Sequence, residues 1–396
     1  MYGPNHRWIV LSLGVAAQAS FSAMFSGLPV TGITMRADYH LSTAQLGLVL
    51  GCLGLGVAIS EIAWGLLTDK YGDRRILLTG LISTGTLMAL MALVPVRSMA
   101  ALAACMLAAG ALGGSVNGSS GRAVMTWFAD GRRGFAMSVR QTAIPVGGAL
   151  GVALLPWLAG AYGFALVYGV LAGFCLLTAA ATWRWLPATE AGAVIRERAG
   201  SPLRRWDVWR LALATALLTV PQFAVLSFSS IFLHDVKGEG VALASLIVLI
   251  AQLGGGAARV WTGRLSDRGG DRRTWIKGIG VLIAVVMAGA AVLTHAPTPL
   301  TVAALALGGL LANAWHGLAY TEIAVMAGPG REGAALGLEG TTLFAAGFLT
   351  PVLIPIVLVA TSSWTVVWAL AALAPLLAVP LAPGSRRRPA VAEARA

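Results

Sequence analysis

GLLTDKYGDRR, from Gly65 to Arg75, and GRLSDRGGDRR, from Gly263 to Arg273, are two versions of one loop. Their offset is 263 − 65 = 198 residues, half of the 396-residue chain. Apolar runs flank both copies, at about 44–67 and 76–95 for the first and about 241–263 and 276–294 for the second. Each approaches or exceeds the ~20 residues a helix needs to cross a bilayer. Further runs lie at about 8–28, 99–127, 135–159, 162–185, 210–233, 300–326, 334–358 and 364–382. Each loop copy thus follows the second span of a set of six. The sequence predicts an all-α membrane protein with twelve transmembrane helices in two pseudo-symmetric six-helix bundles. The expected division is a first half at 1–186, a polar central loop at 187–208, a second half at 209–383 and a basic tail at 384–396. Two parallel repeats place the symmetry axis along the membrane normal.

Composition agrees. Hydrophobic residues make up 57% of the chain and charged residues 11%, against about 25% charged in a soluble domain. So little charge leaves the surface to lipid. The net charge of +12 is explained by topology rather than by nucleic acid. With both termini cytoplasmic, 22 of the 28 Lys and Arg fall on the cytoplasmic side. Only Arg36, Arg97 and Lys237 fall outside, and three lie within spans. The positive-inside rule then sets the orientation, in an inner membrane. The first apolar run starts at Trp8 and is too long for a signal-peptide core. Cys52, Cys105 and Cys175 lie far apart in apolar runs, with neither metal-ligand nor disulfide spacing.

The doubled loop resembles the signature of the major facilitator superfamily, G-x-x-x-D-R/K-x-G-R/K-R/K, except that Asp73 and Asp271 stand where a basic residue is usual. The resemblance covers span count, central loop and orientation. It implies a transporter in which Gly65, Asp69, Arg74, Arg75 and Gly263, Asp267, Arg268, Arg272, Arg273 latch the two halves at the cytoplasmic face. Each carboxylate would face the positive N-terminus of a helix in the other half. RQTAIPVGGALG, Arg140 to Gly151, partly matches a glycine- and proline-rich exporter motif. Ile144 replaces its expected glycine, so helix packing is the better reading.

Ionisable residues within spans are costly and are functional candidates by default. They are Glu61, Arg122, Arg140, Arg259, Glu322 and Glu339. Four obey the repeat. Glu61 and Arg259 differ by 198, and Arg140 and Glu339 by 199, so each symmetric position holds an acid in one half and a base in the other. The family arrangement sets helix 2 beside helix 11 and helix 5 beside helix 8, which would gather the four into one layer. Two readings stay open: a salt-bridged gate, or a binding layer for an ionic substrate or a proton. Glu61, Glu322 and Glu339 are the candidates for proton coupling or gating.

GGGAARVWTGRLSD, around Arg259, also resembles helix 8 of the oxalate–formate antiporter and monocarboxylate transporter groups. That resemblance implies an arginine gripping the substrate carboxylate, although Val260 replaces the proline that usually follows. Guanidinium suits planar oxyanions because it offers paired donors and stays charged. Arg122, Arg140 and Arg259 together favour an anion. Gln18, Asn117, Gln222, Asn313, His316 and Tyr320 lie in the spans that line the family's cavity and complete the expected substrate contacts. For each alone, a helix–helix hydrogen bond is the simpler role.

No phosphate-binding loop, dinucleotide fingerprint, metal cluster or nucleophile–base set is present in the sequence, so no enzyme and no cofactor are expected. The reading is a secondary transporter, expected to be monomeric, with a small-molecule substrate, lipid contacts and protons as a candidate coupling ion. The favoured cargo is a small organic anion moved by proton symport or anion exchange. The alternative is a proton-driven exporter of a drug-like or siderophore-like molecule.

Overall fold

The structure is a computed structural model that describes residues 5–188, 201–239, 241–268 and 271–384. Most of the central loop (189–200) and of the basic tail (385–396) lies outside the described residues. Among the described residues, twelve helices are long and apolar enough to cross a membrane. They are α1 (His6–Val30), α2 (Gln45–Tyr71), α3 (Asp73–Leu93), α4 (Met99–Trp127), α5 (Arg133–Tyr162) and α6 (Phe164–Trp185) in the first half. In the second half they are α7 (Trp206–Lys237), α8 (Leu246–Asp267), α9 (Arg272–His295), α10 (Thr298–Ala327), α11 (Glu332–Thr361) and α12 (Trp364–Leu381). No strand occurs among the described residues. Side chains such as Leu66, Leu177, Val285 and Val359 stay exposed along the outer faces, because lipid replaces water as their solvent.

The signature segments are less loop-like than the sequence suggests. Gly65 to Tyr71 continues α2, and only Gly72, with φ 89°, breaks the chain before α3. A positive φ there costs glycine nothing and any other residue strain. Asp73 opens α3 from a buried position, and the Asp271 side chain caps α9 by accepting from Arg273 N. Both acids therefore stand at helix N-termini, where negative charge is favoured. This accounts for their replacing the usual basic residue.

The halves meet along two seams, α2 against α11 and α5 against α8, with α10 and α4 behind them. Small residues allow the approach. A Cβ at Gly65 would strike the Gly333 carbonyl, and one at Gly263 would strike Gly134 and Ser138. Within the first half, Gly147 and Gly151 lie against the backbone of α1 at Ala19 and Ala23, so the Arg140–Gly151 motif packs α5 on α1. Cross-half hydrogen bonds run from the signature end to Ala58 and Thr341 near the middle of their helices. The signature end of the molecule is therefore closed.

Among the described residues, four spans are interrupted. α4 breaks at Gly114, α5 at Thr142 and α10 at Ala314–Trp315, and α8 carries a π-helical turn at Ile250–Gly254. Such breaks free backbone carbonyls inside the membrane, where something must satisfy them.

Candidate functional site

Two latches close the signature end. The Asp69 carboxylate accepts from Gly333 N and Ala334 N, both at 2.8 Å, in the first turn of α11. The Asp267 carboxylate accepts from Gly134 N at 3.0 Å and Phe135 N at 2.8 Å, in the first turn of α5. Each is an anion on a helix N-terminus of the opposite half. Their surroundings differ. Arg122 Nε lies 3.7 Å from Asp69 and 3.7 Å from Glu332, and its Nη1 donates to the Thr68 carbonyl. Asp267 instead pairs with Arg272 at 3.1 Å. Arg74 donates to the Trp183 carbonyl and Arg268 is exposed. Arg273 pairs with Glu322 at 2.7 Å and holds the Gly384 carbonyl. Arg75 makes no described side-chain bond to the opposite half. Arg122 and Glu322 thus sit with the latches, apart from the deeper polar layer.

That layer gathers around Tyr320, which lies within electrostatic reach of Glu61, Glu339, Arg140 and Arg259. All four are at most 1% exposed. Arg140 donates Nε to Ser120 at 2.9 Å and Nη2 to Gln18 Oε1 at 2.8 Å and to both oxygens of Asn117. Asn117 Nδ2 donates to both Glu61 oxygens at 3.2 and 3.1 Å and to the Tyr320 hydroxyl at 3.1 Å. Asn117 therefore links Arg140 to Glu61 without direct contact between the charges.

Arg259 is held by carbonyls. Its Nε donates to Asn313 O at 2.7 Å, Nη1 to Gln141 O at 2.8 Å, and Nη2 to Asn313 Oδ1 at 2.5 Å. Asn313 and Gln141 end the helical segments that precede two of the breaks. The guanidinium thus collects freed carbonyls at the negative ends of two half-helices. One N–H on each of Nη1 and Nη2 is left over, out of five donors. Gln222 Nε2 joins through Asn313 Oδ1 at 3.0 Å, and His316 stacks on Trp315 with its Nδ1 3.2 Å from Asn313 O.

Among the described residues, none of the four layer charges forms an ion pair; the buried ion pairs are those of the latches. Glu339 is the extreme case. Both its oxygens are buried without a hydrogen-bond partner. The Thr215 hydroxyl lies beside it but bonds to the Leu211 and Ala212 carbonyls. The Gln141 amide is buried and unpartnered as well. Sequence reading missed Gln141, Ser120 and Thr215. Gln141 alone had a signal, since it follows Arg140 and its repeat mate, 199 residues on, is Gly340.

This fold, with a charged layer between two pseudo-symmetric six-helix bundles, defines a secondary transporter. The chain belongs to the Major Facilitator Superfamily, whose family model matches residues 13–294. It is 30% identical over 391 residues to an uncharacterized MFS-type transporter of Mycobacterium tuberculosis, Rv2994, covering 96% of this chain and 86% of the relative. Among solved structures it resembles the E. coli fucose:proton symporter FucP, with a TM-score of 0.74 at 15% identity over 95% of this chain and 97% of that one. It also resembles the human organic anion transporter MFSD10, with a TM-score of 0.78 at 16% identity over 96% of this chain and 100% of that one. At these identities the structures share the fold alone.

Proposed function

We propose that this chain moves a small organic anion, a carboxylate, across the inner membrane by alternating access. Both termini and the latch end are cytoplasmic, and the closed latches give the outward-facing state. Arg259 holds the anionic group. The observation that carries this reading is a fully buried guanidinium with no carboxylate partner, fixed by three carbonyl oxygens with donors to spare. A permanent gate would instead pair Arg259 with Glu61 or Glu339, and neither lies against it. Gln18, Asn117, Gln222, Asn313, His316 and Tyr320 position the two arginines and shape the site, and Arg140 serves as its second cation.

The test begins with a thermal-shift screen of purified protein against formate, acetate, lactate and benzoate, with sulfate and tetraphenylphosphonium as contrasts. Counterflow of the best binder in proteoliposomes follows. Arg259→Gln removes charge-assisted bonds of about 1.5–3 kcal/mol, so affinity falls roughly 10- to 100-fold or more. Arg259→Lys keeps the charge but loses the planar fork and is also impaired. The double variants Glu61→Gln/Arg259→Gln and Glu339→Gln/Arg259→Gln stay inactive, because the anion has lost its partner. Near-normal transport in either double variant, or stabilisation by the cation alone, overturns the reading.

A further inference from the structure

The pseudo-twofold exchanges acid for base, and the two seams separate them by sign. Glu61 on α2 and Glu339 on α11 share one seam. The Glu61 carboxylate occupies the notch over Gly340, where any Cβ would meet it. Arg140 on α5 and Arg259 on α8 share the other, where Arg259 bonds the carbonyl of Gln141. These contacts are symmetry mates, since Gly340 and Gln141 differ by 199. With the cytoplasmic end closed, the two acids therefore lie on one seam, within electrostatic reach of each other, and the two bases lie on the other.

The carboxyls differ in their environment. Glu61 is bonded through both oxygens by Asn117. Glu339 is bonded through neither, and the charge acting on it is Glu61, of the same sign. The groups facing Glu339 are Glu61 from α2, Thr215 from α7 and Tyr320 from α10. On α4, Asn117 is engaged with Glu61, and Arg122 lies toward the helix end, at Asp69 and Glu332. An ionised carboxyl left unbonded in an apolar interior beside a second carboxylate is strongly disfavoured.

We propose that the α2–α11 seam is a proton-binding site, separate from the anion site of the α5–α8 seam, and that Glu339 carries the proton while the cytoplasmic end is closed. Separation of α2 from α11 hydrates Glu339 and releases the proton. With Glu339 neutral, Glu61 offsets one of the two arginines and the layer keeps one positive charge in excess. It then accepts one monovalent anion per proton. This stoichiometry rests on the anion reading above; the proton site does not.

The experiment is infrared difference spectroscopy of the reconstituted full-length protein, titrated with pH in the absence of any substrate. The wild type shows the carbonyl stretch of a protonated carboxylic acid at neutral pH. The band is lost in Glu339→Gln and kept in Glu61→Gln and Glu322→Gln. If Glu339→Gln does not fold, Glu339→Asp replaces it, and there the band shifts in frequency. A wild type without the band overturns the proposal. So does a band unchanged in Glu339→Gln, unmoved in Glu339→Asp, or lost in Glu61→Gln. No substrate enters the measurement, so failure here leaves the anion reading intact, and failure of the anion reading leaves the proton site standing.

Discussion

Replacing Asp69 by Asn tests the latch most directly. The wild-type carboxylate accepts two backbone N–H groups of α11 at 2.8 Å each. An Asn side chain has one oxygen and so keeps one of these bonds, while its amide nitrogen faces the other N–H donor to donor. The lost charge-assisted bond is worth about 1.5–3 kcal/mol. The lost attraction between a carboxylate and a helix N-terminus adds about 1 kcal/mol in a partly buried setting. Together they come to about 3 kcal/mol, and 1.4 kcal/mol is tenfold in an equilibrium. The closed state therefore loses roughly 100-fold in population relative to the state open at this end. Spin labels at Lys70 and Pro329, in a background lacking Cys52, Cys105 and Cys175, report the α2–α11 separation by pulsed dipolar spectroscopy. Wild type gives mainly the short distance, and Asp69→Asn shifts weight to a longer one. Transport slows while substrate binding is largely kept. An unchanged distance distribution and a normal transport rate would leave the segment as a topology signal alone.

The other predictions use the same preparation. Gly333→Ala places a methyl group against the Gly65 carbonyl and the Asp69 carboxylate, so it opens the same end without removing a charge; a wild-type distance distribution refutes this. Asn117→Ala removes the link between Arg140 and Glu61 and leaves the buried Glu61 carboxylate without its two hydrogen bonds, while Arg140 keeps Ser120, Gln18 and the backbone carbonyl of residue 117. It lowers stability by about 3 kcal/mol, read as a reduced denaturation temperature of the solubilised protein, and an unchanged temperature counts against the link. A cysteine at Gly192, in the central segment, reacts only with reagents that reach the cytoplasm, and labelling from outside intact cells reverses the assigned orientation.

Much of this architecture was readable before the structure. The doubled loop and the apolar runs specify twelve spans because a hydrocarbon slab leaves the chain few ways to satisfy its backbone. The offsets of Glu61/Arg259 and Arg140/Glu339, 198 and 199 residues, place each acid at the symmetric position of a base. Spacing could not give their partners, which depend on helix rotation and on how closely glycine notches bring backbones together. Glu322 pairs with Arg273, 49 residues away in sequence, and Arg122 bridges Asp69 in its own half and Glu332 in the other. The carbonyls that hold Arg259 exist because α5 and α10 break at Thr142 and Ala314: Pro145 has no N–H to donate to the Gln141 carbonyl four residues before it, a signal present in the sequence, whereas the break at Ala314 has no proline beside it. The helices run past the ends of the apolar runs, since the charged signature residues Asp69 and Asp267 lie in the last turns of α2 and α8, stabilised by contacts with the other half.

The sorting of charge by seam gives the layer an electrical character that no single residue has. With Glu339 protonated, the Glu61 carboxylate on one seam and the Arg140 and Arg259 guanidiniums on the other form an in-plane dipole, parallel to the bilayer surface. A membrane potential does work only on charge displaced along the normal, about 2.3 kcal/mol per elementary charge per 100 mV. Rocking two halves about a shared layer moves these charges mostly sideways, so the voltage has little purchase on the protein's own switching. When a proton and a monovalent anion cross together, their charges cancel as well. The concentration gradients of the two ions, rather than the voltage, then set the direction of flow.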